Sequence, residues 1–312
     1  MTLAYSLQTV TSRAFAGDAD FWKIRDLLIQ TYPLTPTGFN WEIRRWDGSR
    51  FHNENAAIPP EWNEQIHLWE TPDGCLVGAV HTEGRMGEAF LQLHPDYRHV
   101  EEDMIAWAEE HLPRVNDQQQ RQLDFAVFDY DSPRRTLLRK RGYEMLPYTF
   151  VTRRMRFGLR PLPEPVLAEG YLLRCTDASA ADCQRLADVL NAGFNRTIHT
   201  MRESQNFALQ SPSFSANLNL VAQAPDGSFG ALVGLTYNKL NHYGVVEPVC
   251  THPDHRRKGL ARTLIFEGLH RVKALGATDA YVDTGDMVPA NALYDDVGFT
   301  EAYRGNIWRK LW

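Results

Sequence analysis

The hydrophobic and polar positions of this chain form one succession of patterns that occurs twice. Short apolar runs with strand spacing come first in each half. They lie at about 66–71, 75–82 and 88–93, and again at about 219–224, 230–238 and 243–250. "TPDGC" (71–75) and "APDGS" (224–228) join the first two runs of each set, and an Asp-Gly pair between apolar runs is typical of a hairpin. The pattern predicts three antiparallel strands in each half.

A helical period and then one more strand follow in both halves. The first half reads "EEDMIAWAEEHL" (101–112) and "LDFAVFDY" (123–130). The second half reads "GLARTLIFEGLHRVKALG" (259–276) and "DAYVDTG" (279–285), and its helix carries one apolar stripe before the terminating Gly276. Strands mixed with helices at this spacing predict an α/β (α+β) fold with a mixed sheet.

Two short matches support a duplication. The sequence His-Pro-Asp stands at 94–96 and again at 252–254, and "PRRTLLRKRGY" (133–143) corresponds to "PANALYDDVGF" (289–299). Both matches occur in the same order and at nearly the same offset. We therefore expect two domains of ordinary size: a first domain over 1–158, a proline-rich linker over 159–170 and a second domain over 171–312.

Composition narrows the class of protein. The chain has 312 residues, 43% of them hydrophobic, and a net charge of -6. This charge argues against a sequence-independent nucleic-acid binder, and no apolar run approaches the roughly 18 residues that span a bilayer. The four cysteines form neither a CxxC pair nor a disulfide framework. We expect a cytoplasmic protein, monomeric or homodimeric, without a signal peptide.

The segment "THPDHRRKGLAR" (251–262) carries the chemistry that its counterpart near residue 94 lacks. A strand runs into a turn, and a helix follows that begins near Lys258 or Gly259. The start of a helix presents free N–H groups and partial positive charge, glycine allows close approach, and three basic residues add full charges. Such a segment favours an anion site suited to a pyrophosphate, although ordinary strand-turn-helix junctions can look alike. Neither a Walker A nor a Rossmann glycine pattern is present.

Arg256-x-x-Gly259-x-Ala261 resembles the Q/R-x-x-G-x-G/A signature of the GNAT (Gcn5-related N-acetyltransferase) superfamily. "NALYDDVGF" (291–299) resembles the last helix and strand of that family. The resemblance covers 171–312 and, with lower fidelity, 5–157, and it implies two tandem GNAT domains similar to the mycothiol synthase-like acetyltransferases. It also implies acetyl-CoA as co-substrate and no metal.

The resemblance assigns a cofactor-binding set. The pyrophosphate would lie on the backbone amides of Arg256, Arg257, Lys258, Gly259, Leu260 and Ala261. The pantetheine arm would run along Val249, Cys250 and Thr251, with the Thr251 amide as donor to the thioester oxygen.

Glu247 is the candidate general base. It stands in an otherwise apolar strand on the same face as Thr251, and acetyl transfer requires a neutral amine. Mycothiol synthase-like members carry the acid two residues earlier, where this chain has Val245. The alternative is a structural carboxylate paired with an arginine.

Tyr294 matches the tyrosine that the family uses as general acid toward the CoA thiolate. The alternative is a core aromatic residue. Asn291 would either orient the cofactor or cap the helix. "CTHPDH" (250–255) is too compact for a standard zinc set, and no His–Asp partner is visible that would make Cys250 a nucleophile.

The first half lacks the same features. By the offset, Gly259 corresponds to Glu101, and Glu102 and Asp103 follow it. Acids complement a helix start but repel a pyrophosphate. Leu138 replaces Tyr294, and Arg135 replaces Asn291. We expect a degenerate GNAT-like domain whose aromatic-rich segment 39–62 either builds part of the acceptor pocket or packs in the core.

The expected function is acetyl-CoA-dependent N-acetyl transfer by a direct mechanism, with the active site in the C-terminal domain. The acceptor would be a small-molecule amine or a peptide N-terminus, and segments 194–207 and 237–244 are candidates for its surroundings. One alternative is a non-catalytic acyl-CoA-binding sensor. Another is aminoacyl transfer, a use of the fold that normally lacks a CoA loop.

Overall fold

The structure is a computed structural model that describes residues 9–55, 57–158 and 161–312. Residues 1–8 of the predicted first domain, residue 56 of segment 39–62 and residues 159–160 of the predicted linker lie outside this description. Among the helices of the described residues, none has both the length and the apolar character needed to cross a bilayer.

Helices and strands alternate along the chain in the predicted manner. The helices are α1 (Asp18–Thr31), α2 (Ile43–Phe51), α3 (Trp62–Gln65), α4 (Glu101–His111), α5 (Ser132–Lys140), α6 (Ala180–Phe194), α7 (Met201–Gln210), α8 (Leu260–Ala274) and α9 (Val288–Val297). The strands are β1 (Thr11–Ala14), β2 (His67–Glu70), β3 (Leu76–His81), β4 (Glu88–Leu93), β5 (Arg114–Val115), β6 (Arg121–Phe128), β7 (Glu144–Arg156), β8 (Leu172–Cys175), β9 (Asn219–Gln223), β10 (Phe229–Asn238), β11 (Tyr243–Thr251), β12 (Asp279–Gly285) and β13 (Glu301–Leu311). The predicted strands of both halves lie within two residues of these bounds.

The chain divides into two compact units. Unit 1 contains the described residues up to Ile43, Ile58–Phe150 and Tyr303–Trp312. Unit 2 contains Arg44–Ala57 and Val151–Ala302. These bounds differ from a division at the predicted linker, because 44–57 belongs with the second half of the sequence and 303–312 with the first.

Strand pairing explains part of this difference. The sheet of unit 1 has the order β1-β2-β3-β4-β6-β13, and that of unit 2 has the order β8-β9-β10-β11-β12-β7, with 151–156 of β7. The last strand of each order comes from the other half of the sequence. β13 pairs antiparallel with β6 over seven residue pairs, from Gly305 opposite Phe128 to Leu311 opposite Gln122. These backbone hydrogen bonds satisfy an edge that would otherwise be exposed.

The duplication is visible in matching local contacts. In unit 1, Arg13 of β1 binds both carboxylate oxygens of Asp20 in α1, at 2.6 and 2.7 Å. In unit 2, Arg174 of β8 binds Asp182 of α6 in the same way, at 2.8 and 2.6 Å. This bidentate pair is a third repeated feature, which the sequence comparison did not find because it joins residues that are separated in the chain.

The two His-Pro-Asp turns also fold alike. The Nδ1 atom of His94 accepts a hydrogen bond from the Asp96 amide at 3.3 Å, and that of His252 accepts one from the Asp254 amide at 3.3 Å. In unit 2 this turn leads from β11 to α8. The stripe of α8 is buried against the sheet so closely that a Cβ on Gly268 would lie 2.2 Å from a Leu235 methyl carbon. The sheet and α8 therefore fix the point where the turn ends.

Candidate active site

β11 pairs in parallel with β12 only at its beginning. The registered pairs run from Tyr243 opposite Asp279 to Val245 opposite Tyr281. β11 continues along β10 to Thr251, and β12 also continues past Tyr281. The registered pairs with β12 therefore stop at Val245, and the second half of β11 has an edge without such pairs among the described residues.

An irregularity in β11 lies at this point. The pairing of β10 with β11 shifts between Val233 and Leu235. The residue between them, Gly234, lies so close to β11 that a Cβ there would be 2.8 Å from Pro248 Cδ and 2.9 Å from the Glu247 carbonyl oxygen. Glycine at this position allows the two backbones to approach, as is common where a strand bulges.

The loop before α8 presents an open helix start. Arg257 and Gly259 have positive φ values of 64° and 74°. Gly259 occupies the N-cap position and supplies no side-chain hydrogen bond to the first turn, which begins at Leu260. Nothing lies within 4 Å of an added Cβ on Gly259, so the space in front of the helix is open. N–H groups at such a start favour an anion.

The basic residues of this loop are held by neighbouring groups. Arg256 donates to the Gly193 carbonyl oxygen at 3.2 Å and to the Thr251 carbonyl oxygen at 3.5 Å. Lys258 Nζ donates to the hydroxyl of Tyr171 at 2.7 Å. Two of the three cations predicted to surround an anion therefore also tie the loop to β11, to α6 and to Tyr171, the residue before β8.

Cys250 is an inert packing residue in this arrangement. Its side chain is buried, and Sγ lies 3.7 Å from the Val189 carbonyl oxygen. Burial raises the pKa of this thiol to about 12, so it is protonated at neutral pH and not a nucleophile. Gly193 of α6 packs on the same residue, because its added Cβ would meet Cys250 Cβ at 2.8 Å. Val249, the preceding residue, is half-buried.

Tyr294 lies in the core side of α9 and keeps its proton. Its side chain is buried, with an edge-to-face contact to Phe299 at 6.0 Å between centroids. Burial raises its pKa to about 12, and the negative charges of Glu247 and Asp283 add to this effect. The Tyr294 hydroxyl is therefore protonated at neutral pH, and the negative charge of Glu247 acts on it.

Asn291 holds the beginning of α9. Its Nδ2 donates to the carbonyl oxygens of Gly285 and Met287 at 2.9 and 3.0 Å, and its Oδ1 accepts from Arg153 Nε at 2.9 Å. These contacts position the start of α9 without capping it, because a cap would accept from the free N–H groups of the first turn. The amide fixes the connection from β12 to the helix that carries Tyr294.

Glu247 pairs with an arginine that is distant in sequence. Arg44 Nη1 of α2 lies 3.2 Å from Glu247 Oε2. The Arg44 side chain is 10% exposed and that of Glu247 is 43% exposed. The ion pair agrees with the structural alternative for Glu247, whereas the exposure leaves the carboxylate accessible from one side, so both roles are compatible with the geometry.

The accessible side of Glu247 faces a cleft within unit 2, with about 480 Å³ of empty space. Its lining is mostly apolar and consists of His52, Leu186, Leu190, Ser204, Phe207, Phe214, Asn219, Leu232, Gly234, Leu235, Thr236, Glu247 and Pro248. Of the two segments predicted to surround the acceptor, 194–207 contributes Ser204 and Phe207. Segment 39–62 contributes His52.

A carboxylate and two histidines support one wall of this cleft. Glu203 Oε1 lies 3.1 Å from His199 Nδ1 and 3.5 Å from His52 Nδ1. Burial by itself would raise the Glu203 pKa, but hydrogen bonds from both histidines outweigh it and lower the pKa to about 2. The His52 ring stacks on Phe207 with centroids 3.8 Å apart. No sequence pattern indicated this cluster, since its members come from two distant segments.

The corresponding helix start of unit 1 is occupied by a carboxylate. Glu101, the first residue of α4, is buried and pairs with Arg98 at 2.8 Å and with Arg134. Arg98 also binds Asp131 at 2.7 Å. Leu138, which stands where unit 2 has its tyrosine, is fully buried. This helix start therefore has an internal anion already in place.

Comparisons with known proteins agree with this geometry. Residues 191–299 match the sequence model of the acetyltransferase (GNAT) family. A comparison with curated proteins finds no significant match.

Several solved structures share the fold over nearly the whole chain. A GCN5-related N-acetyltransferase from Sphaerobacter thermophilus is 17% identical, with a TM-score of 0.65 over 97% of this chain and 95% of that protein. A tandem GNAT protein from the clavulanic acid biosynthesis pathway, solved without AcCoA, is 15% identical, with a TM-score of 0.65 over 97% of this chain and 98% of its own. An acetyltransferase of the GNAT family from Colwellia psychrerythraea is 10% identical, with a TM-score of 0.59 over 96% of this chain and 100% of its own.

The predicted fold is thereby confirmed: the chain as a whole has the tandem GNAT fold, and residues 191–299 match the acetyltransferase (GNAT) family.

Proposed function

We propose that the protein transfers the acetyl group of acetyl-CoA to an amine, with one working site in unit 2. The observation that carries this proposal is the open edge of β11, which ends at the uncapped basic start of α8. A cofactor with an extended arm and a pyrophosphate matches these two features. Glu247 belongs to β11, and its charge contributes to the raised pKa of Tyr294.

Acetyl-CoA would be held by the loop and the strand end. The N–H groups from Arg256 to Ala261 and the charge of Arg257 suit a pyrophosphate. Val249, Cys250 and Thr251 would offer their backbone to the pantetheine arm in the manner of an added strand. Leu260 is buried and anchors the first turn of α8, so it fixes the position of the amides that follow.

The Thr251 amide suits the role of donor to the thioester oxygen. Thr251 is opposite Ala231 in the pairing of β11 with β10, and the next amide, that of His252, donates to the Gly230 carbonyl oxygen of β10 at 2.9 Å. Successive amides of a strand point to opposite sides. The Thr251 N–H is therefore directed to the side of β11 that β12 leaves open. A donor placed there would stabilise the charge that develops on the carbonyl oxygen.

The proton balance requires one base and one acid. The amine nitrogen attacks the acetyl carbon, its proton passes to Glu247 directly or through water, and the C–S bond breaks. The departing sulfur takes the proton of Tyr294. The ion pair with Arg44 holds the Glu247 carboxylate in place, and the high pKa of Tyr294 keeps that hydroxyl protonated before the reaction.

Unit 1 would not bind the cofactor. The Glu101 carboxylate occupies its helix start and uses the nearby arginines. A pyrophosphate there would meet negative charge and would have to displace two ion pairs. The second half of the sequence would therefore bind the cofactor and carry the active site, and the first half would be a degenerate copy without a cofactor site.

An acetyl-CoA consumption screen over a library of amines tests this function, with Tyr294→Phe and Glu247→Gln beside the parent. We expect turnover with at least one amine, and a fall of kcat by about 10²-fold or more in each variant with an unchanged dissociation constant for CoA. Binding of acetyl-CoA without turnover of any amine would favour a sensor. Full activity of both variants would contradict the assigned roles.

A further inference from the structure

The cleft beside Glu247 has an apolar and aromatic wall. Phe207 lies between the His52 ring, stacked at 3.8 Å, and Phe214, edge-to-face at 6.0 Å between centroids. The leucines of α6 and of β10 form the facing side, namely Leu186, Leu190, Leu232 and Leu235. The cleft is partly open to solvent, so it would enclose only part of a bound molecule. The body of a molecule bound here would be small and apolar.

Only one carboxylate lines this cleft among the described residues, and it is Glu247. Its charge is balanced by Arg44, whose guanidinium also lies 5.7 Å from the centre of the Phe207 ring. Glu203 of α7 is bound by His52 and His199 and does not line the cleft. A second ammonium group on the acceptor would therefore find no counterion and would meet the positive charge of Arg44.

Most polar groups in the lining are engaged or small, whereas His52 Nε2 is buried without a hydrogen-bond partner among the described residues. Asn219 Nδ2 donates to Thr176 Oγ1 at 2.6 Å. Ser204 and Thr236 are buried hydroxyls. Burying an ammonium without a partner costs far more free energy than burying an aryl or alkyl group. These walls therefore favour an acceptor with one amino group over an acceptor with several.

We propose that the acceptor is a primary monoamine carried by a flat apolar group, an arylalkylamine, with its ring against Phe207 and its nitrogen beside Glu247. This inference rests on the proposed acetyl transfer and names its substrate class. The acceptor classes that it excludes are polyamines and aminoglycosides, which need several carboxylates.

Three amines form the test, with acetyl-CoA as donor: phenylethylamine, hexylamine and diaminohexane. Hexylamine and diaminohexane have the same chain and differ only in the second amine, so their comparison isolates the charge. We expect kcat/KM to be highest for phenylethylamine and at least about tenfold lower for diaminohexane than for hexylamine. Spermidine serves as a polycation of a different length.

Phe207→Ala tests the wall. We expect its KM for phenylethylamine to rise about tenfold or more with little change in the dissociation constant of CoA. Phe207→Leu keeps apolar volume without a ring, so we expect it to restore much of the hexylamine activity but less of the phenylethylamine activity. Leu209→Ala is the matched control, because Leu209 lies in the same helix, is 66% exposed and does not line the cleft.

The outcomes separate this inference from the proposed function. Turnover restricted to diaminohexane, spermidine or other polycations would overturn the acceptor class and leave acetyl transfer intact. The same holds if Phe207→Ala, shown to be folded by its thermal unfolding, leaves the KM for phenylethylamine unchanged. Binding of acetyl-CoA with no turnover of any amine in the wider screen would instead refute the proposed function.

Discussion

Gly259 is the residue whose replacement tests the cofactor site most directly. Its positive φ of 74° suits glycine, and the space in front of it is open. Asparagine tolerates this conformation better than most residues. Gly259→Asp and Gly259→Asn therefore form a pair of nearly equal shape that differs by one negative charge at the start of α8.

The size of the charge effect follows from Coulomb's law. A carboxylate about 6 Å from a doubly charged pyrophosphate gives about 1.4 kcal/mol of repulsion in bulk water and about 5.5 kcal/mol at the effective dielectric constant near a protein surface. The loop is exposed, so the lower figure applies. Since 1.4 kcal/mol corresponds to a factor of ten, we expect acetyl-CoA to bind at least about tenfold more weakly to Gly259→Asp than to Gly259→Asn.

Titration calorimetry at low and at high salt measures this difference. The gap between the two variants should narrow as salt rises, because salt screens exposed charges. The thermal unfolding temperatures of the two variants should agree, since both carry the same backbone strain. Equal affinity of both variants for acetyl-CoA at low salt would refute the placement of the pyrophosphate at this helix start.

Two further predictions concern the strand edge and the acid. Gly193→Ala should lower the free energy of unfolding by about 1–3 kcal/mol and weaken CoA binding, because the added Cβ would lie 2.8 Å from Cys250 Cβ. Gly285→Ala is the control, since nothing lies within 4 Å of its added Cβ. Thermal unfolding measures the stability of both variants, and calorimetry measures their affinity for CoA. Tyr294 has a pKa raised to about 12, so its acid form is lost only as pH rises through that value; kcat should not fall between about pH 8 and pH 10, and a fall centred near the ordinary tyrosine pKa of about 10 would contradict the assignment.

The local patterns of the sequence were sufficient for the elements around the site. The strand before "THPDHRRKGLAR" was predicted over 243–250 and extends over Tyr243–Thr251, and the helix was predicted near Gly259 and begins at Leu260. These elements are specified locally, by apolar periodicity, by the turn and by a glycine that readily adopts a positive φ. The local pattern also predicted that Glu101 stands at the start of a helix, and Glu101 is the first residue of α4.

The partners of the site residues were not predictable in this way. Glu247 was expected either to act as base or to pair with some arginine, and no local pattern indicated Arg44, which is about two hundred positions earlier. The His52–Glu203 contact and the aromatic wall on Phe207 depend on the same placement of 44–57 in unit 2. Contacts of this kind follow from packing and leave no periodic signal.

The sequence by itself determined which helix start carries a glycine and basic residues and which carries acids, because these features are local and need no knowledge of distant residues. Only the tertiary structure decided what surrounds Glu247. Segment 44–57, from the first half of the sequence, packs in unit 2, and the last strand of each half joins the other unit's sheet. The physical reason is that buried apolar faces and strand edges are satisfied by whichever segment reaches them, and their position in the sequence does not specify that segment.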